Sequence, residues 1–254
     1  MTNKESNKYL LIVLLAIFIF FGCARDNPET ITNPPNIQKI YPINTYTLTI
    51  PEPSGIAFNS ENNSLMVISD GYPNIYEIGF TGLTLNTIIA TGSDMEGITL
   101  SKNCDTIYVV EEKKKVVTAF NLNGVKLYSF SANVATSDNS ALEGITINKT
   151  TNNLYVINEK DPRMILGYNN LTEIWRKTID FASDISDIYY EESTNCFWLI
   201  SDESAKIMKL SIGGALLKEW EIPFTKGEGI TIVNEMIYVV NDLDGKLYVF
   251  QKPS

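Results

Sequence analysis

From residue 45 onward, short apolar runs alternate with polar turns at a spacing that suits strands. GIAFN (55–59), SLMVIS (64–69), NIYEIGF (74–80) and TLNTIIAT (84–91) are rich in Val, Ile, Tyr and Phe and of strand length. Beyond residue 22 no ten-residue stretch keeps a helical period. The same order then recurs along the chain. A short first strand (GIAFN, GITLS, GITIN, DIYYE, GITIV) is followed by a polar turn such as SENNS, KTTNN or EESTN. A second strand comes next (SLMVIS, TIYVVE, NLYVIN, CFWLIS, MIYVVN), then a third (NIYEIGF, VVTAFNL, MILGYNN, KIMKLSI, KLYVFQK) and a fourth (TLNTIIAT, KLYSFSAN, EIWRKTID, LLKEWEIP). The segment EGIT opens three of the units, at Glu96, Glu143 and Glu228, and weaker copies open at Ser54 and Ser186, so the starts are 42, 47, 43 and 42 residues apart. Periods of this size belong to four-stranded propeller blades.

The fifth unit ends without a fourth strand, and Thr45–Pro51 (TYTLTIP) ahead of the first unit reads as the missing one. The pattern therefore predicts an all-β fold over residues 39–254, a five-bladed β-propeller of four-stranded blades whose ring is closed by an N-terminal strand. Closure also hides strand edges that would otherwise invite pairing with other chains.

The first 22 residues follow a different pattern. Lys4 and Lys8 precede an unbroken apolar run of 13 residues, Tyr9 to Phe21. A span needs about 17–25 residues, whereas a run of this length suits the core of a signal peptide. Phe20-Phe21-Gly22-Cys23 resembles a lipobox, which makes 1–22 a lipoprotein signal peptide and Cys23 the lipidated residue. Residues 23–38, Pro- and Asn-rich without apolar period, read as a tether. These features place the protein in the bacterial cell envelope, joined to a membrane through its lipid. No acidic residue directly follows Cys23, which favours the outer membrane over the inner.

Composition removes several function classes. There is no histidine, so His-based triads, general bases and metal ligands are excluded, and any metal must be held by oxygen or sulfur. The net charge of −10 becomes −11 once residues 1–22 are removed, which disfavours nucleic acid as a partner. Neither a Gly-x-Ser-x-Gly elbow nor a phosphate-binding loop is present. Cys104 and Cys196 fall in the same first-to-second strand turn of blades two and four, which are not neighbours. A disulfide needs Cα atoms within about 7 Å, so both are expected as free thiols.

The candidate chemistry lies in two rings. The first strand of a blade is innermost, so its opening residues, Ser54, Glu96, Glu143, Ser186 and Glu228, are expected at one mouth of the central channel. Each Glu or Ser is followed by Gly (Gly55, Gly97, Gly144, Gly229), which suits close backbone approach, except in blade four, where Asp187 follows. The second strand runs back beside the first and ends on Asp70, Glu112, Glu159, Asp202 and Asp242, all acidic, each preceded by a polar residue (Ser69, Glu111, Asn158, Ser201, Asn241). Asp, Asn and Ser end strands and make turns for local reasons, but Glu does not. Carboxylates crowded at a narrow mouth repel unless a cation neutralises them or some are protonated. With only oxygen donors the fitting cation is Ca²⁺, less well Mg²⁺, held by Glu96, Glu143 and Glu228, with Asp70, Glu112, Glu159, Asp202 and Asp242 as further candidate ligands.

The segments Glu52–Ile78, Asp94–Glu112, Ala141–Pro162, Asp184–Ser204 and Gly227–Asp242, with their alternation of SG and EG openings, resemble the SdiA-regulated (YjiK/CarP-like) family over residues 40–254. The resemblance implies a five-bladed propeller with a calcium site, a distant likeness to NHL-repeat propellers that serve protein–protein contacts, and a link to calcium-responsive physiology in Gram-negative bacteria. Ser186-Asp187 departs from the expected Ser-Gly, so Asp187 either adds a ligand or points into a neighbouring blade.

The leading functional reading is a lipid-anchored, calcium-binding interaction module with a protein partner, and without catalytic residues. The alternative is a Ca²⁺-dependent hydrolase, a lactonase or esterase, in which the ion polarises a carbonyl and a free carboxylate acts as base. A phytase-like enzyme fits worse because basic residues for a polyanion are few. A glycosidase needs two carboxyls about 5–9.5 Å apart in different environments, which a ring of equivalent glutamates does not offer.

Overall fold

The computed structural model describes residues 37–136 and 140–253. The signal segment, Cys23 and the tether as far as residue 36 lie outside the described residues. All regular structure in the described part is strand. Strands β1 (Gln38–Lys39) and β2 (Asn44–Thr47) precede the first blade. Blade one is β3 (Pro53–Asn59), β4 (Ser64–Ser69), β5 (Asn74–Ile78) and β6 (Thr84–Ile89). Blade two is β7 (Met95–Leu100), β8 (Thr106–Glu111), β9 (Val116–Asn121) and β10 (Lys126–Ser131). Blade three is β11 (Leu142–Asn148), β12 (Asn153–Asn158), β13 (Met164–Asn169) and β14 (Thr172–Thr178). Blade four is β15 (Asp187–Glu191), β16 (Cys196–Ser201), β17 (Lys206–Ser211) and β18 (Leu216–Glu221). Blade five is β19 (Gly227–Val233), β20 (Met236–Asn241) and β21 (Lys246–Gln251), completed by β2.

The five blades are thus four-stranded antiparallel sheets, and the N-terminal strand closes the ring by pairing with β21, Tyr46 opposite Leu247. The paired segment is Asn44–Thr47 and not the whole of the expected 45–51. The remainder turns inward, with Leu48 and Ile50 buried against Leu65, Val67 and Val240 between blades one and five. An unforeseen element is β1, which adds to the outer edge of blade four in parallel, Gln38 opposite Trp220. Two residues carry too weak a pattern to read as a strand, and only the open edge of β18 makes them one.

The core is divided among the interfaces between blades. Ala57, Met66, Ile68, Ile98, Leu100 and Ile107 pack between blades one and two, and four similar clusters follow around the ring. A second strand has blades on both sides, which is why all six residues of β4 and of β16 are buried and their sequences are nearly continuous apolar runs. Fourth strands such as β10 face water and alternate poorly.

Cys104 and Cys196 are both free and buried. Cys104 Sγ lies 3.3 Å from Ser60 Oγ of blade one, and Cys196 donates to the Thr194 carbonyl at 3.3 Å. The expected result of thiol labelling is two reactive cysteines in denatured, unreduced mature protein and almost none in native protein. A mass showing an intramolecular disulfide would contradict the blade assignment.

Candidate metal centre

The EG and SG openings sit on a β-bulge. In blades one, two, three and five the first strand gains one residue over its partner at this point: Pro53 faces Ser69 and Ile56 faces Val67, and Met95 faces Glu111 and Ile98 faces Val109. A bulge bends the strand and re-aims a side chain. Here it turns the Glu or Ser toward the mouth of the channel. The glycine that follows is required by space and not by its dihedral angles. A Cβ on Gly97 would stand 2.5 Å from the Glu143 carbonyl oxygen, and one on Gly55 equally close to that of Glu96. Backbones of adjacent innermost strands touch there, and no side chain fits.

Blade four breaks the rule with Asp187, which is almost fully buried. Its Oδ2 accepts the Ile230 N–H of blade five at 2.8 Å, while its Oδ1 has no hydrogen-bond partner. Burial pushes this carboxyl well above its usual range. Of the two alternatives left by the sequence, Asp187 takes the second and points into a neighbouring blade.

All eight carboxylates singled out in the sequence, with Ser54 and Ser186, line one cavity of about 230 Å³. A second cavity of about 390 Å³ is lined by later residues of the same innermost strands and shares no lining residue with the first. The acidic mouth thus forms a cup distinct from that second cavity.

Within the cup the acids are unevenly grouped. Asp70, Asp94 and Glu96 each bring an oxygen within 4.8 Å of the others, and so do Glu112, Glu143 and Glu159. Glu96 and Glu143 thus fall in separate trios. Glu228 stands apart from both: Lys226 Nζ is 3.5 Å from Glu228 Oε1 and 2.8 Å from Asp202 Oδ2. The Lys226 backbone N–H also donates to Asp202 Oδ1. Asp242 also lines the cup, its carboxyl raised by burial against the pull of Lys226. Lys160 pairs with Glu159 at 2.7 Å, and Lys113 pairs with Asp94.

Electrostatics follow the crowding. Glu143 is held well above the ordinary carboxylate range by burial and then by the charges of Glu96, Glu159, Glu112 and Glu228. Glu96 is also pushed well up, by burial and by Asp70, although the Ser54 hydroxyl donates to it at 2.6 Å. Burial lifts Glu112 and Glu228 to about 7.

Four site residues escaped the sequence reading: Glu52, Asp94, Asp184 and Lys226. They form a third ring two positions before the first, Glu52, Asp94, Ala141, Asp184 and Lys226, visible in the strings EPSG, DMEG, ALEG, DISD and KGEG. The carbonyls of Glu52, Asp94, Ala141 and Lys226 accept the N–H of Asp70, Glu112, Glu159 and Asp242 at 3.1, 3.0, 2.7 and 3.1 Å. Glu52, Asp94 and Lys226 take positive φ of 46°, 57° and 61°, uncommon outside glycine. The residues preceding the second ring do different work. Ser69 donates to the Pro51 carbonyl and Asn241 to that of Thr225, both at 2.6 Å, so they pin the loop that enters the first strand.

The SdiA-regulated family model matches residues 45–254. The chain belongs to the SdiA-regulated family. No curated protein matches it. Among solved structures, a glutaminyl cyclase from Myxococcus xanthus is similar at TM-score 0.64 and 8% identity, covering 84% of this chain and 97% of that one. A nidogen/laminin complex is similar at 0.58 and 16%, covering 74% and 72%. A gluconolactonase from Xanthomonas campestris is similar at 0.54 and 9%, covering 82% and 88%. At these identities the likeness is one of fold. For this SdiA-regulated propeller the donor set bears on metal identity. Ca²⁺ takes 6–8 oxygens at 2.3–2.6 Å, so oxygens on opposite sides of one ion stand about 5 Å apart. Carboxylate trios within 4.8 Å fit that span. Glu228, already facing an ammonium, fits less well than Glu96 or Glu143.

Proposed function

We propose that this protein is a lipid-anchored cell-envelope propeller that binds Ca²⁺ in its acidic cup and presents its surface to a protein partner in a calcium-dependent way. The observation that carries the reading is the pair of carboxylate trios, Asp70–Asp94–Glu96 and Glu112–Glu143–Glu159, in one oxygen-lined cup. Glu143 feels the like charges of Glu96, of the other trio, and of Glu159, Glu112 and Glu228. Such an arrangement costs free energy unless protons or a cation discharge it. When bound, the ion supplies positive charge to these oxygens and thereby joins blades one, two and three at their axial ends. The chain's own part is to hold the carboxylates on bulged, closely packed strands, so that few rotamers need ordering on binding.

A hydrolase is a second reading because Glu112 and Glu228, raised to about 7, would exchange protons near neutral pH. Calcium uptake by purified protein in equilibrium dialysis tests the main reading, and a screen of esters, lactones and glycosides with and without Ca²⁺ tests the second. For the anchor, Cys23→Ala is expected to leave the protein unlipidated and in the soluble fraction. A mutant that fractionates with membranes as the parent does would contradict the lipobox.

A further inference from the structure

We infer that the second cavity, formed by the later residues of the innermost strands, is a binding site for a small carboxylic acid that has an apolar body and a hydroxyl or carbonyl at the end away from the acid. The site is independent of the calcium reading. The last residue of EGIT has no part in the metal centre. Three residues on from Ser54, Glu96, Glu143, Ser186 and Glu228 stand Ala57, Thr99, Thr146, Tyr189 and Thr231, and all of them line the cavity of about 390 Å³. All but Ala57 carry a hydroxyl. Threonine suits a strand, but so does valine, which would pack there with no polar atom to satisfy. Thr231 is 1% exposed and Thr99 8%, and no described residue hydrogen-bonds either hydroxyl. The Thr146 oxygen accepts the Tyr190 N–H at 2.9 Å and keeps its own proton for a further acceptor. The Tyr189 hydroxyl has no partner among the described residues either. Burial, with Glu191 and Glu192 nearby, pushes it up to about 12, so it stays a donor. Buried hydroxyls take their partners from whatever fills the space beside them.

The rest of the lining sets the class of ligand. In four blades an isoleucine (Ile56, Ile98, Ile188, Ile230) precedes the ring residue, and apolar residues such as Leu100 and Ile232 follow it, so the body of the ligand meets hydrocarbon. The rim carries Lys149, Glu192 and Glu235. Glu235 and the neighbouring Glu191 share the Lys252 ammonium at 2.8 and 2.6 Å, and Glu192 accepts the Thr150 hydroxyl at 3.2 Å. Lys149 is the one cation of the lining, and it forms no ion pair with a described residue. It stands three residues beyond Thr146, about 10 Å along an extended chain. The acid group of the ligand therefore belongs at the rim and its second polar group at the hydroxyl ring. A cavity of this volume is of small-molecule size.

The probe is para-hydroxyphenylpropionate, titrated calorimetrically into the full mature protein. It should bind with a Kd about tenfold lower than phenylpropionate, which lacks the phenol. Its Kd should be about three- to fivefold lower than that of its own amide, which lacks the charge. Thr231→Val keeps the shape and removes one hydroxyl, and should reduce the first ratio. Lys149→Met should abolish the second. Circular dichroism checks that both variants fold, and the comparison of acid with amide on wild type needs neither. Failure of every probe to bind wild type at millimolar concentration would overturn the site and leave the calcium reading standing. Binding that is lost in chelator would place the probe in the acidic cup, which shares no lining residue with this cavity, and would also overturn the site. Equal Kd for acid and amide, or tighter binding of the matching amine, would overturn the pairing of a carboxylate with Lys149. Equal Kd with and without the phenol would overturn the role of the hydroxyl ring.

Discussion

Chelation should lower the melting temperature of the wild-type protein, and Glu143→Gln should lose most of that dependence. A ligand that binds only the folded state stabilises it by RT ln(1 + [L]/Kd), about 2.7 kcal/mol at 100 times Kd, or roughly 5–10 °C for a domain of this size. Glu143 is the choice because it stands among the most like charges, with Glu96, Glu159, Glu112 and Glu228 all acting on it. The amide keeps the shape and removes the charge. In chelator the variant should melt at or above the parent, because that repulsion is gone. The combination is diagnostic: a damaged core would lower both melts, whereas a lost ligand lowers only the one in Ca²⁺. Melts of both proteins in Ca²⁺ and in chelator suffice. A wild type indifferent to Ca²⁺ would leave the EGIT glutamates without their proposed partner and bring the hydrolase forward.

The second large effect concerns pH. Glu112 and Glu228 ionise near 4.5 in the unfolded chain but only at about 7 in the folded one, and Glu96 and Glu143 are shifted the same way. Between those limits the folded state binds more protons, so stability falls as pH rises. The contribution is complete below about pH 4.5 and lost as pH passes through 7. Discounted for the water that reaches carboxylates lining an open cup, the loss is about 2–3 kcal/mol. At the acid end Glu191 works oppositely. Burial pushes it up, but hydrogen bonds from Lys252, Thr194 and Trp198 bring it down to about 2, so its contribution is lost only as pH falls from 4.5 toward that value. In chelator the melting temperature should therefore peak near pH 5 and decline toward pH 8. In Ca²⁺ the decline should be absent or reversed, because the ion needs the carboxylates deprotonated. A chelator melt that rises from pH 5 to pH 8 would contradict the crowded-carboxylate reading.

What the sequence by itself determined is whatever repeats with a local signal. Strand length, the 42–47-residue period and the missing fourth strand of the last unit led to five blades and to closure by the N-terminal strand. The same period aligned Glu96, Glu143 and Glu228 with each other, and Asp70 with Glu112, Glu159, Asp202 and Asp242, and all of them line one cup. It also separated Cys104 from Cys196. The reason is that a blade's strands pair with near neighbours in the chain, so their pattern is written within about 45 residues.

Only the tertiary structure decided how the aligned residues meet. The third ring was present in the strings before each SG or EG, but a ring of Glu, Asp, Ala, Asp and Lys has no common chemistry to draw notice. Its place became visible through contacts that cross blade boundaries, such as Lys226 to Asp202 over 24 residues. The split of the glutamates into two trios, the turn of Asp187 toward Ile230 and the docking of β1 on β18 are likewise settled between blades. Repeat alignment treats equivalent positions as equal. The folded ring does not, because each boundary is packed by a different pair of blades, and a single side chain there changes the balance of charge.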